Sequence, residues 1–251
     1  MSETEEISFW DHLDVLRGII FRILIVGGLC ALAAFCLKDI LFKIILAPKD
    51  DSFITYQLLQ TKPFHIHLVN TGLTEQFMVH MKTALCFGLF GASPYIIYQL
   101  YKFIAPALYE HERTNSVKIV GSAYAMFIVG TLTNYFLIFP LTVRFLATYS
   151  VSPDVQNMLT IQSYIDTLLM MSLVFGIIFE IPVISWLLAR FGLLKHEWMV
   201  SYRRHAFVAI IAISAIITPT SDAFTLFIVA LPIWLLYELS ILIVKLTYHA
   251  R

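Results

Sequence analysis

From Ile119 to Val143 the chain carries no charged side chain at all. A helix over that run reaches across the roughly 30 Å hydrocarbon core of a bilayer, and little else satisfies its backbone there. Similar runs recur along the sequence. Ile23–Leu37 is uncharged, and Arg22 marks one end once the run is extended back through Ile19. Thr83–Tyr101 contains Pro94, Thr167–Ala189 holds one charge at Glu180, and Ala223–Val244 is broken by Glu238 alone. Ala206–Ser221 is the shortest. These runs predict one all-α integral membrane domain over 1–251, with six transmembrane helices at about 19–37, 80–101, 119–143, 167–189, 206–221 and 223–244. Pro140 is expected to end the third span. The runs lack the alternation that barrel strands need.

Composition agrees. The 251 residues are 59% hydrophobic and 14% charged, against about 45–50% and about 25% in soluble domains. Lys+Arg 17 balances Asp+Glu 17, so no net positive field invites nucleic acid. With the N-terminus inside, cytoplasmic segments hold Arg17, Arg22, Lys102, Arg113, Lys118, Arg190, Lys195, Arg203, Arg204, Lys245 and Arg251. The opposite side holds only Lys38, Lys43, Lys49, Lys62, Lys82 and Arg144. The basic excess predicts an N-in, C-in topology.

Glu3, Glu5, Glu6, Asp11 and Asp14 crowd the start, which suits neither a secretory signal nor an organelle transit peptide. The N-terminus is expected to be mature as written, in a bacterial cytoplasmic membrane rather than a plastid one. Cys30, Cys36 and Cys86 are odd in number, lie in or beside apolar runs, and read as packing residues. His65-x-His67 lacks a third ligand and reads as part of a solvated loop. No metal and no cofactor are expected, and no phosphate-binding G-x-x-x-x-G-K-[ST] loop is present.

Ser8 with Asp11 resembles a capping box, and Phe9, Leu13, Leu16 and Ile20 share a helical face. This segment is expected to lie along the inner membrane surface before turning in, with Asp11 and Asp14 on the other face. The connection Lys102–Arg113 brings Glu110 and Glu112 to that same membrane side. A carboxylate cluster is what a guanidinium ligand needs, because Arg offers paired donors to two oxygens. Pairing of these acids with Arg113 or Lys118 is the competing reading.

Phe103-Ile104-Ala105-Pro106-Ala107-Leu108-Tyr109 through His111-Glu112-Arg113 resembles the diagnostic segment of the TatC family, the receptor and core subunit of the twin-arginine protein translocase. His12-Leu13 with Leu16-Arg17, Ser93-Pro94 with Tyr98-Gln99, Phe139-Pro140, Phe179-Glu180-Ile181-Pro182, and Thr218-Pro219 with Asp222 follow in family order. The resemblance implies a non-enzymatic receptor with a concave, glove-like bundle. It would bind twin-arginine signal peptides at the cytoplasmic face for export of folded proteins, powered by the proton-motive force. It also implies single-span partners of the TatA and TatB type and self-association in a larger complex.

Carried over, Glu112 is the loop carboxylate that recognises the arginine pair, with Glu110, Phe103 and Arg113 beside it and Arg17 in the N-terminal motif. A glutamate is usual in the family where Val15 stands here. Either the adjacent Asp14 takes its role, or Glu112 and Glu110 suffice. Glu180 reads as a functional polar point within the membrane or as a neutral acid near a helix end, with Pro182 bending its helix. Asp222 matches a family acidic position, although Leu226 stands where the family usually keeps glutamine. The alternative function is a small proton-coupled solute or ion transporter using Glu180 and Glu238. A protease is disfavoured because Ser172, Ser185 and Ser214 have no His within a span.

Overall fold

The structure is a computed structural model that describes residues 9–60, 64, 66–104, 116–149, 158–218 and 222–249. Five helical stretches are long and apolar enough to cross a membrane: Leu13–Cys36, Glu75–Phe103, Val117–Thr148, Ile161–Arg190 and Ala223–Thr247. The sixth is a 15-residue helix, Arg203–Ile217, short against the roughly 20 residues a span usually needs. The fold is therefore the expected all-α membrane architecture. Its outward residues suit lipid. Leu24, Ile25, Leu29 and Leu32 on the first helix are each more than 60% exposed, a patch that water would not tolerate.

The chain divides into two compact units, Met1–Leu37 with Ala84–Tyr124, and Lys38–Thr83 with Ala125–Arg251. In the first unit α1 (Phe9–Cys36) meets α4 (Glu75–Ile104). A Cβ placed on Gly88 would lie 2.6 Å from the Ala31 backbone, so the two helices approach as closely as only a glycine permits. Ala31 and Ala92 are buried here. The N-terminal segment does not lie flat and then turn. It is the first part of α1, because nothing between Trp10 and Cys36 breaks the helix. Ser8, the expected cap, lies outside the described residues.

The second unit is less regular. Between the first and second spans lie α2 (Lys38–Leu46), a 3-10 turn (Ala47–Lys49) and α3 (Ile54–Leu58). Farther along, β1 (Leu68–Val69) pairs in parallel with β2 (Leu159–Thr160). Across the third span, α5 (Ser116–Thr133) leads into a π-helical turn (Asn134–Ile138) and α6 (Phe139–Thr148). Pro140 thus does not end this helix. It sits in the first turn of α6, where a missing N–H is tolerated. α7 (Ile161–Ile178) and α8 (Ile181–Arg190) divide the fourth span at Phe179–Glu180, two residues before Pro182. α9 (His196–Ser201), α10 (Arg203–Ile217) and α11 (Ala223–His249) complete the chain.

Side chains bond to backbone where these irregularities free it. Pro140 cannot donate to the Phe136 carbonyl four residues back, and the Thr55 hydroxyl donates to it instead. The Tyr56 hydroxyl lies within bonding distance of the Pro48 and Pro140 carbonyls, 2.9 and 3.0 Å away. Tyr164 donates to the Ile45 carbonyl and Tyr135 to that of Ile44. Glu75 accepts from the backbone N–H groups of Thr71 and Gly72 at 2.8 Å and of Gln162 at 3.2 Å. The segment between the first two spans is thereby tied to the ends of α6 and α7. Beneath it, Phe139, Ile165 and Phe175 are fully buried, and buried Asn134 donates to Ser172 at 2.8 Å.

Candidate functional site

The site expected from sequence draws on the first unit. α1 holds Asp14 and Arg17 three residues apart, hence on one face, and both are exposed. The Arg17 guanidinium lies over the Phe21 ring, 5.8 Å from its centroid. Val15 is 53% exposed and points about 100° away from Asp14. Phe103 is half-buried one residue before the end of α4. Glu110, Glu112 and Arg113 lie outside the described residues.

The close crossing at Gly88 and Ala31 sets the level of these groups. From it, about 14 residues of α1 lead back to Arg17 and about 15 of α4 lead on to Phe103. At about 1.5 Å per residue these are about 21 and 22 Å along the axes. α1 and α4 contain successive spans, with no membrane-length helix between them among the described residues, so as spans they run in opposite directions. Arg17 and Phe103 therefore emerge at the same end of the pair, and the connection bearing Glu110, Glu112 and Arg113 starts there. The geometry presents an exposed carboxylate, Asp14, at the end where that connection begins.

The second unit places the other candidates. Glu180 stands just ahead of α8 at the break between α7 and α8, and its side chain makes no capping hydrogen bond. Its Oε1 is buried with no hydrogen-bond partner among the described residues. Asp222 accepts a 2.7 Å hydrogen bond from the Thr225 N–H at the start of α11, which is how a capping side chain holds a helix end. Glu238 is not a free intramembrane acid: Arg203 Nη2 approaches its Oε2 to 2.9 Å. This weakens the transporter reading, which needed both Glu180 and Glu238.

Sequence reasoning missed Glu75, whose carboxylate gathers three backbone donors from two segments. The only signal was an acid beside Gly72 just ahead of an apolar run. No group of three or more His, Cys, Asp or Glu among the described residues could hold a metal ion. His65 of the His65-x-His67 pair lies outside them.

Comparison with known proteins covers nearly the whole chain. The family model described as "Sec-independent protein translocase protein (TatC)" matches residues 11–232. The TatC protein of Carboxydothermus hydrogenoformans is 30% identical over 97% of this chain and 95% of its own. That of Aquifex aeolicus is 31% identical over 96% of each. A crystal structure described as "Twin Arginine Translocase Receptor- TatC" superposes with a TM-score of 0.80 at 31% identity, covering 94% of this chain and 99% of that one. A second, in DDM, gives 0.79.

Proposed function

The chain belongs to the TatC family of Sec-independent protein translocase proteins, and from that membership we propose that it is the receptor that reads twin-arginine signal peptides. As a family member it is a translocase component rather than a classical enzyme, and a multi-pass protein of a bacterial cytoplasmic membrane. The observation that carries the receptor reading is the likeness, over 99% of its length, to a structure described as a twin-arginine translocase receptor.

In this reading both chain ends face the cytoplasm. Glu112 pairs with the guanidinium groups of the signal peptide, Glu110 adds negative charge, and Phe103 and Arg113 shape the connection around them. Asp14 and Arg17 extend the surface along α1, with Asp14 in place of the acid absent at Val15. Glu180 supplies a polar point within the membrane. The bound cargo would then recruit single-span TatA- and TatB-type subunits around a self-associated core, with the proton-motive force as driver. Charge-assisted, two-oxygen recognition explains why arginine is demanded, since a lysine ammonium cannot match a carboxylate in the same bidentate way.

The test is binding of a twin-arginine signal peptide to the purified chain beside its twin-lysine control. The arginine form should bind at least about tenfold tighter, equivalent to about 1.4 kcal/mol. Glu112→Ala should abolish that discrimination, and Asp14→Ala should reduce it. Undiminished discrimination in Glu112→Ala would overturn the site, and wild-type binding by Asp14→Ala would return the second role to Glu110.

A further inference from the structure

We propose that the outer face of residues 190–205, between the fourth span and α10, binds the headgroups of anionic phospholipids in the surrounding membrane.

The inner side of this stretch is fixed. α8 ends at Arg190, and Gly192, with φ 74°, reverses the chain into α9. Its left-handed backbone lets the N–H of Leu193 and of Leu194 both reach the Leu188 carbonyl at 3.0 and 3.2 Å. Met199 of α9 is then buried with Ala189, Ile241 and Val244. The Tyr237 hydroxyl donates to the Met199 carbonyl at 2.7 Å, and Arg203 meets Glu238 at 2.9 Å. α9 is clamped onto α11, so the residues on its far side are held as a platform.

That far side pairs cations with aromatic rings. Lys195, Trp198 and Tyr202 recur at a spacing of three and four and are all exposed, Trp198 by 51% and Tyr202 by 61%. The Lys195 ammonium lies 5.6 Å from the Trp198 ring, and the Arg190 guanidinium 5.3 Å from the Trp186 ring. Arg204 and His205 follow, both exposed, with the His205 ring 5.5 Å from that of Tyr202. Within 190–205 only Glu197 opposes Arg190, Lys195, Arg203 and Arg204. The charge of Glu238 is taken up by Arg203. Neither Lys195 nor Arg204 makes an ion pair among the described residues.

Position identifies the ligand. The stretch begins where the crossing helix Ile161–Arg190 ends, so it lies at headgroup level. Aromatic rings with a polar edge settle at that depth, and clustered cations there attract anionic lipid. A phosphodiester is a delocalised anion that two or three separated cations can share, while the rings pack against glycerol and the upper acyl chain. An acidic protein segment would answer the charge but has no use for rings at membrane depth. This surface is independent of the signal-peptide reading.

The test uses the full chain carrying Trp10→Phe and Trp234→Phe, which leaves Trp186 and Trp198 as reporters. It is placed in nanodiscs of dioleoyl phosphatidylcholine doped with brominated phosphatidylglycerol or brominated phosphatidylcholine. Tryptophan fluorescence should be quenched at about threefold lower mole fraction by the glycerol lipid. Adding Lys195→Gln and Arg204→Gln should remove that preference. Salt near 1 M, where the screening length is about 3 Å, should weaken it in the parent without any substitution. Equal quenching by both lipids would overturn the proposal and leave the patch to an acidic protein surface. A preference that survives both the double substitution and high salt would also overturn it.

Discussion

Two prolines interrupt two apolar spans in opposite ways. In the first unit Pro94 lies inside α4 and leaves the Phe90 carbonyl without its helical donor. Ser93, the very next residue back, supplies one, with its Oγ donating to Phe90 at 2.7 Å. In the second unit Pro140 leaves the Phe136 carbonyl open, and the donor is Thr55, 81 residues away in the loop between the first two spans. The first repair is local and leaves α4 a single unbroken helix. The second turns a gap in a span into an anchorage for a loop. The same missing N–H therefore has two structural outcomes, decided by who answers it.

Substitutions can break this contrast at several points. The largest effect is expected at the crossing beside Pro94. Gly88→Leu would drive a side chain into the Ala31 backbone, already 2.6 Å from a bare Cβ, and should cost about 3 kcal/mol or more. Detergent-solubilised protein should lose its cooperative melting transition. Gly91→Ala, whose Cβ would meet only Cys30 at 3.8 Å, should melt as wild type. If both variants behave alike, close backbone approach does not hold this pair.

The loop anchorage should yield next. Tyr56→Phe removes the hydroxyl that reaches Pro48 and Pro140, leaving buried carbonyls short of a donor at about 1–3 kcal/mol. Limited proteolysis of the detergent-solubilised protein should then cut within residues 47–60, where the wild type resists. The smallest effect sharpens the comparison most. Thr55→Val and Ser93→Ala should each cost about 1 kcal/mol. Only Thr55→Val should raise protease sensitivity of the loop at residues 47–60, because the Ser93 hydroxyl bonds within its own helix. Equal sensitivity in both variants would erase the distinction.

Legibility in the sequence followed the range of the forces involved. Spans were readable because transfer of twenty apolar residues into lipid outweighs any local preference. The short helix α10 was readable as well, from the brevity of its run. The continuity of α1 was not: the amphipathic spacing of Phe9, Leu13 and Leu16 describes a helix but carries no sign of whether the helix bends where it meets lipid. The π turn at Asn134–Ile138 and the persistence of the helix past Pro140 depend on Thr55 and Tyr56, and no pattern near Pro140 announces them. In the candidate site, Asp14, Arg17 and Phe103 were nameable from their motifs. Their common level came only from the Gly88–Ala31 crossing. The pairing of Glu238 with Arg203 joins residues 35 apart on different helices, beyond what spacing along one helix can reveal.

The ties of the loop between the first two spans also impose an order in time. Glu75 waits for Gln162, 87 residues later, and Leu68 for Leu159. At the 5–20 residues per second of protein synthesis, that delay is about 4 to 17 s. Throughout it, the Ile45 carbonyl and Glu75 Oε1 lack the partners that Tyr164 and Gln162 later bring. The nascent chain is most open to proteases and to wrong strand partners during this interval. A loop held by several side-chain bonds in the finished protein is, during its own biogenesis, late to be secured.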